Sequence, residues 1–576
     1  MARHWRGKGL TACLTTGCIR WARRIDAVAE ATGGAARICC GGNRRAASIG
    51  TGLGAVASAE GLTVLTGEQV KHGATGVEGT AVASTGGMRA WIDVMRHLEP
   101  IMADYERIFD AWGSGGVDGM VIGPLAFEDK SFTFDPNPAV YRRFGVEPPP
   151  ANTQDSLWWK LPTTDVRGTW RRPDAAGRDT ATVPTDLRER RALLTRMIEA
   201  AKARGWQVWL FCPHYGVGPG SRGPILVDEQ TRRVNAARLV DAMEAYPMAD
   251  GALFDGPEWG YEIAPFHQNA RSSIFNDLPE TVAEGAARMG FDYARMVGAK
   301  DRLFARLHAL DDRTIDIWGD RSGGFMGGFG LLGGDPALAE WITFRTTALT
   351  ETFSQIKEMA NANSNRNIPI ACGPRSAAWS SMAGYDYEAL GKVLDRMFPK
   401  HYFWHRGFDG LYGSVARFVE TLRTWNPGIS EGGALKFVTS VFGIDLPDVH
   451  SLRDFDRGFP QAFFDTVVVR ETTRAIAAMG GDAERVVPWV DSGRKPHDGE
   501  PFTAHDLDRM LEAAQGAGLR HFLYHHHGNL TPGDWAVISA RCGTPWQSTT
   551  SPLWSLEGYI GAYSMPGYHP PDLATL

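Results

Sequence analysis

Residues 250–260 read Asp-Gly-Ala-Leu-Phe-Asp-Gly-Pro-Glu-Trp-Gly. A short apolar run, Ala252-Leu253-Phe254, ends in Asp255, and Gly256 and Pro257 then break the chain before Glu258 and Trp259. A buried parallel strand that ends this way delivers two carboxylates and an indole to the rim of a sheet. In an α/β barrel that rim is the mouth where the strands converge. Hydrolysis of a glycosidic bond needs such a set: an acid, a base or nucleophile, and a flat apolar surface for a sugar ring. The blander alternative makes Asp255 a turn cap and Glu258 a solvated loop residue. The pattern outweighs it because it recurs on other apolar runs.

Eight such runs alternate with helical stretches: Gly119–Gly123, Trp206–Cys212, Gly251–Asp255, Thr314–Trp318, Ile368–Cys372, His401–His405, Val486–Asp491 and His521–His525. Alternating strands and helices argue for βα units around a parallel sheet, and eight is the number a (β/α)8 TIM barrel requires. Leu62–Leu65 is a ninth candidate. The helices carry start signals: Thr185 as a cap, Asp335 before Pro336, Asp386, and Thr503 with Asp506 in a capping box. The expected organisation is an irregular, low-complexity or targeting segment over 1–60, and a catalytic barrel over 61–545. Insertions are expected at 128–184 and 426–484, and an irregular tail over 546–576.

The residues at the C-terminal ends of these runs form a constellation. His214 comes after the second run; Asp255, Glu258 and Trp259 end the third; Asp320 and Arg321 come after the fourth, and Arg375 after the fifth. Trp404, His405, Arg406 and Asp409 belong to the sixth, Asp491 to the seventh, and His525 and His527 to the eighth. A leaving glycosidic oxygen must be protonated, so one carboxyl has to stay neutral, and burial beside apolar rings does that. Glu258, between Pro257 and Trp259, is the expected general acid/base. Asp255 and Asp491 are the candidates for the second carboxylate, with Asp409 a third option. His214, Arg375, His405, Arg406, His525 and His527 are expected to bind hydroxyls or an acidic group, and Trp259 and Trp404 to stack on sugar faces.

On these residues the chain resembles the (β/α)8-barrel glycoside hydrolases. The segment DGALFDGPEWG is similar to their acid/base strand and shares Asp250, Gly251, Asp255 and Glu258 with the chitinase DGxDxDxE strand. It departs by carrying Leu253 in place of the middle acid and one extra residue before Glu258. HYFWHRGFDG, PWVDSG and YHHHGN resemble glycosidases of the same superfamily. The resemblance implies a retaining or inverting glycosidase, a carbohydrate substrate and no cofactor.

Composition bounds the rest. The chain has 576 residues, 43% hydrophobic and 22% charged, with a net charge of −6. That is ordinary for a globular protein, and no basic stripe points to nucleic acid. The Gly-rich stretch 325–335 lacks a phosphate-binding spacing and reads as a loop beside the cleft. No run of 18 apolar residues predicts a membrane span. The basic N-terminus lacks the apolar core of a secretory signal, so the expected location is the cytoplasm. Seven Cys without regular spacing argue against a disulfide framework. Oligomeric state is not encoded in any visible pattern. Two rival readings stay open. One is a metal-dependent, amidohydrolase-like enzyme using His214 and the His525–His527 run, although only alternate residues of a strand share a face. The other is a barrel that binds carbohydrate without cleaving it.

Overall fold

A computed structural model describes residues 87–545, apart from 95–97, 124–135, 149–163, 166–167, 170–185, 213–225, 256, 264–272, 323, 404–409, 491–502, 526, 528–529 and 531. The expected 1–60 segment, the 546–576 tail and the Leu62–Leu65 candidate lie outside the described residues, as does most of 128–184.

Eight strands form one sheet. We number them β1 (Arg89–Val94), β2 (Val117–Ile122), β3 (Gln207–Phe211), β4 (Gly251–Phe254), β5 (Ile370–Cys372), β6 (Arg396–Met397), β7 (Trp489–Val490) and β8 (His521–Tyr524). Their order is β6-β5-β4-β3-β2-β1-β8-β7, and every paired neighbour is parallel. The two ends meet: Met397 and Lys400 form parallel bridges with Val486 and Trp489, and Trp489 N donates to Pro399 O at 2.9 Å. The sheet therefore curls into a (β/α)8-type barrel with its strands in chain order around the ring.

The period-2 alternation of the strands sorts side chains between two cores. Ala90, Ile92 and Val94 of β1 face the surrounding helices, whereas Trp91 joins an inner cluster with Val121, Trp209, Phe211, Leu253, Ala371, Phe398, Tyr402, Trp489 and Leu523. Phe398 lies between rings: 5.7 Å from Trp91, 5.9 Å from Trp209 and 6.5 Å from Trp489. Each such ring removes roughly 150–250 Å² from water, so the lumen is a packed core, not a channel. One more inward step along each strand reaches the mouth. It places Asp93 beyond Trp91, Asp255 beyond Leu253, Gly373 beyond Ala371 and His525 beyond Leu523.

Several helices start where their caps predict. Asp335 Oδ1 accepts Ala337 N at 3.0 Å at the head of Pro336–Ala362, Asp386 caps Tyr387–Val393, and Thr503 with Asp506 forms a capping box. The helix expected from Thr185 spans Leu187–Ala203 and is capped by Asp186, whose carboxylate accepts Glu189 N. Residues between β6 and β7 include the helices Leu411–Trp425, Glu431–Phe442 and Val469–Ala478.

Two strand assignments are corrected. Thr314–Trp318 is part of the helix Asp312–Ser322, initiated where Asp311 Oδ1 accepts Thr314 N at 2.7 Å. Ile315 is buried while Ile317 and Trp318 are exposed, so the apparent alternation is the edge of a helical stripe. The strand expected at His401–His405 lies upstream at Arg396–Met397; past Pro399, which has no N–H, pairing continues only as single bridges at Lys400. The missing strand is β1, whose run is opened by Arg89 and interrupted by Asp93.

Candidate active site at the barrel mouth

The inward strand-end positions bring three carboxylate–cation pairs to the C-terminal mouth. On the β1–β8 side, Asp93 Oδ2 lies 2.5 Å from His525 Nδ1. The parallel pairing of β1 with β8 sets this pair, with Ile92 in register with Tyr524 one step below. The imidazole of His525 stacks on Tyr402 with ring centres 5.0 Å apart. His527 Nδ1 is 3.3 Å from Asp93 O, and its ring lies 6.5 Å from Trp112.

On the β4–β6 side, Lys400 Nζ stands 2.7 Å from Asp255 Oδ1. The approach is off the line a hydrogen bond requires, so among the described residues neither atom has a hydrogen-bond partner. Lys400 is 2% exposed and Asp255 12%, which leaves Asp255 as the member that opens toward the mouth. The ammonium also lies 5.5 Å from the centre of the Trp489 ring, and the His525 ring lies 5.8 Å from that same indole. Trp489 is thus the floor shared by both sides. Gly373 makes room for it: a Cβ there would stand 2.5 Å from Trp489 Cζ3.

Glu258 forms the third pair. Arg375 Nη2 donates to its Oε1 at 2.6 Å and Arg375 Nε to its Oε2 at 2.9 Å, a two-pronged fork with the carboxylate 0% exposed. The guanidinium packs over Tyr261 at 4.8 Å. These surroundings differ from the apolar niche expected from Pro257 and Trp259: the indole of Trp259 turns away, and an arginine takes the carboxylate instead. The Tyr385 hydroxyl sits in the field of Glu258 and Asp255 and has no hydrogen-bond partner among the described residues. Burial, reinforced by those charges, pushes its pKa well above the usual phenol range. Burial also raises the Cys372 thiol well above its ordinary value, so it serves as a small apolar group.

Trp259 is corrected from sugar platform to core wedge. It is fully buried, its Nε1 donates to Arg345 O at 2.9 Å, and its ring packs 5.5 Å from Phe344. Gly384, at φ +88°, closes over it, and a Cβ there would stand 2.3 Å from Trp259 Cδ1. Thus Asp255, Glu258, Arg375, His525 and His527 stand at the mouth, whereas Asp320 and Arg321 belong to the outer helix Asp312–Ser322. His214, Trp404, His405, Arg406, Asp409 and Asp491 lie outside the described residues. Asp93, Lys400, Tyr385 and Tyr402 are site residues that sequence reasoning does not reach. For Asp93 the usable signal is an acid one step past an inward Trp. For Lys400 it is a lysine directly before a predicted strand.

Among the described residues no group of three or more His, Cys, Asp or Glu is placed to hold a metal ion, and no helix is long and apolar enough to cross a membrane.

The architecture is a (β/α)8-type barrel, and comparison with solved structures finds barrel enzymes at low similarity. The glycoside hydrolase domain of PgaB (BpsB) from Bordetella bronchiseptica aligns with 79% of this chain and 99% of its own at 12% identity and a TM-score of 0.39. The catalytic domain of the β-amylase from Paenibacillus polymyxa aligns over 84% and 100% at 12% identity and a TM-score of 0.37. A chitinase from Chromobacterium violaceum aligns over 79% and 98% at 8% identity and a TM-score of 0.33. At this level the likeness concerns the barrel and assigns no chemistry to the chain. No protein-family model and no curated protein matches the sequence.

Proposed function

We propose that the chain is a glycoside hydrolase acting on an oligo- or polysaccharide at the barrel mouth. The observation that carries this reading is the set of buried polar atoms there that have no hydrogen-bond partner among the described residues: Asp255 Oδ1, Lys400 Nζ and the Tyr385 hydroxyl. Leaving a buried polar atom unmatched costs roughly 1–3 kcal/mol. An acceptor, a donor and a group that is both are matched by the hydroxyls of a sugar.

Within this reading the open carboxylate, Asp255, is a reacting group, held by the Lys400 charge. Glu258, enclosed by Arg375, is a positioning residue that fixes the guanidinium at the rim. Asp491 is proposed as the second carboxylate, on its place in the sequence two residues beyond Trp489, the residue period of one strand face. Glycosidases operate with such pairs, and the separation of the two groups sets retention or inversion.

The test is hydrolysis of a panel of aryl glycosides and polysaccharides by the purified full chain, with Asp255→Asn and Asp491→Asn alongside. Turnover that disappears in both variants while saccharide binding persists supports the assignment. A panel with no hydrolysed member sinks the enzymatic reading, and turnover indifferent to Asp255→Asn sinks the role of that residue.

A further inference from the structure

A second polar site lies away from the strand ends, on the helical layer. The helices Glu229–Ala245 and Pro336–Ala362 pack side by side, and between them opens a groove of about 670 Å³. It is lined in part by Arg232, Arg233, Arg288, Glu351, Gln355 and Glu358. Three of its four arginines have carboxylate partners: Arg143 Nη2 donates to Glu244 at 2.7 Å, Arg233 pairs with Glu229, and Arg288 Nη1 donates to Glu284 at 2.8 Å. Arg232 differs. It is only 6% exposed, and its hydrogen bonds run to Thr352 Oγ1 at 3.2 Å, Gln355 Oε1 at 2.8 Å and Leu226 O at 2.8 Å. All three acceptors are uncharged. They use three of the five N–H groups of a guanidinium, so two remain. Among the described residues no carboxylate forms an ion pair with it.

A buried cation without a counter-ion is expensive to keep, and helix packing does not require one. Burial depresses the pKa of Arg232 from its ordinary value, and the nearby Glu351 offsets only part of that. Glu351 and Glu358 have no cationic partner among the described residues and face the same groove. The groove therefore offers a forked donor at its wall and carboxylate acceptors at its rim.

We propose that this groove binds a small carboxylate that also carries hydroxyl or ammonium donors. The carboxylate would take the free edge of Arg232, and the donors would reach Glu351 and Glu358. A fully charged phosphate suits the site less well, because the same two acids would repel it. This inference does not rest on the chemistry proposed for the barrel mouth.

Isothermal titration calorimetry on the full chain tests it, with glucuronate, glutamate, acetate and inorganic phosphate as probes. Saturable binding of glucuronate or glutamate is expected, with acetate weaker by about tenfold or more, since it forfeits the hydrogen bonds to the acids. Arg232→Met should weaken the bound acid by at least about tenfold, the loss of one charge-assisted contact. Glu351→Gln retains Arg232 and should narrow the gap between acetate and the donor-bearing acids, which keeps the test decisive if Arg232→Met does not fold. Binding that persists in Asp255→Asn separates this groove from the barrel mouth. The proposal is overturned if no probe gives saturable heat, if phosphate outcompetes both glucuronate and glutamate, or if affinity is unchanged in the two groove variants.

Discussion

The two sides of the barrel mouth use the same elements, a strand-end carboxylate and a cation, and arrive at different states. On the β1–β8 side the Asp93–His525 pair is closed: the bond is 2.5 Å and both side chains are buried. On the β4–β6 side two acids three residues apart diverge. Glu258 meets the planar fork of Arg375, which engages both of its oxygens, while Asp255 meets the point charge of Lys400, which leaves an oxygen unmatched. Position at a strand end is therefore not what makes a carboxylate available. The geometry of its cation decides that.

The largest effect expected from breaking this contrast lies at the Glu258–Arg375 fork. Arg375→Met leaves Glu258 buried without a counter-ion and should cost about 3–5 kcal/mol of unfolding free energy, read by urea denaturation. A loss below about 1 kcal/mol would mean that water reaches Glu258, and the distinction between the two acids would fail. Asp255→Asn should behave differently. Stability should fall by less than for Arg375→Met, about 1–3 kcal/mol, because Lys400 loses its counter-charge but Asp255 itself opens to the mouth, while turnover of any saccharide substrate should fall about a hundredfold or more. A variant that unfolds instead would make Asp255 a structural residue like Glu258. His525→Gln probes the far side: loss of a charge-assisted bond to Asp93 should lower stability by about 1.5–3 kcal/mol in the same assay.

Much of this layout is legible in the sequence, for reasons that also explain the failures. β4 is readable because Gly251 and Gly256 bracket an apolar run, and β8 because four buried residues precede its histidines. β1 is not, since Asp93 breaks its apolar run, and the partner His525 that helps make that acid tolerable in a strand is 432 residues away. Thr314–Trp318 misleads because five residues of alternation cannot distinguish a strand from the flank of a helix, and the helix start signal, Asp311, lies outside those five. Glu258 stands out in the sequence, but Pro257 and Trp259 do not form its surroundings. The residue that claims it, Arg375, is 117 positions away. Neighbours in sequence do not identify neighbours in space, and for a buried carboxylate the latter set its state.

The smallest effect separates burial from pairing as the reason a mouth residue is fixed. His401, next to Lys400, is 2% exposed, stacks on Phe403 with ring centres 5.1 Å apart, and has no hydrogen-bond partner for Nε2 among the described residues. Burial alone lowers its pKa to about 3. An unfolded histidine titrates near 6.5, so on acidification the unfolded chain takes up a proton that the folded chain refuses. The contribution to stability is thus complete above about pH 6.5 and is lost as pH falls toward 3, amounting to about 2 kcal/mol by pH 5. His401→Phe keeps a ring against Phe403 and removes the titration. Its stability should match the parent within about 1 kcal/mol at pH 7 and exceed it at pH 5, as measured by denaturant melts at the two values. Parallel pH profiles for the two proteins would mean that a polar partner reaches Nε2, and the β6 end of the mouth would then be wetter than the Asp255–Lys400 geometry requires.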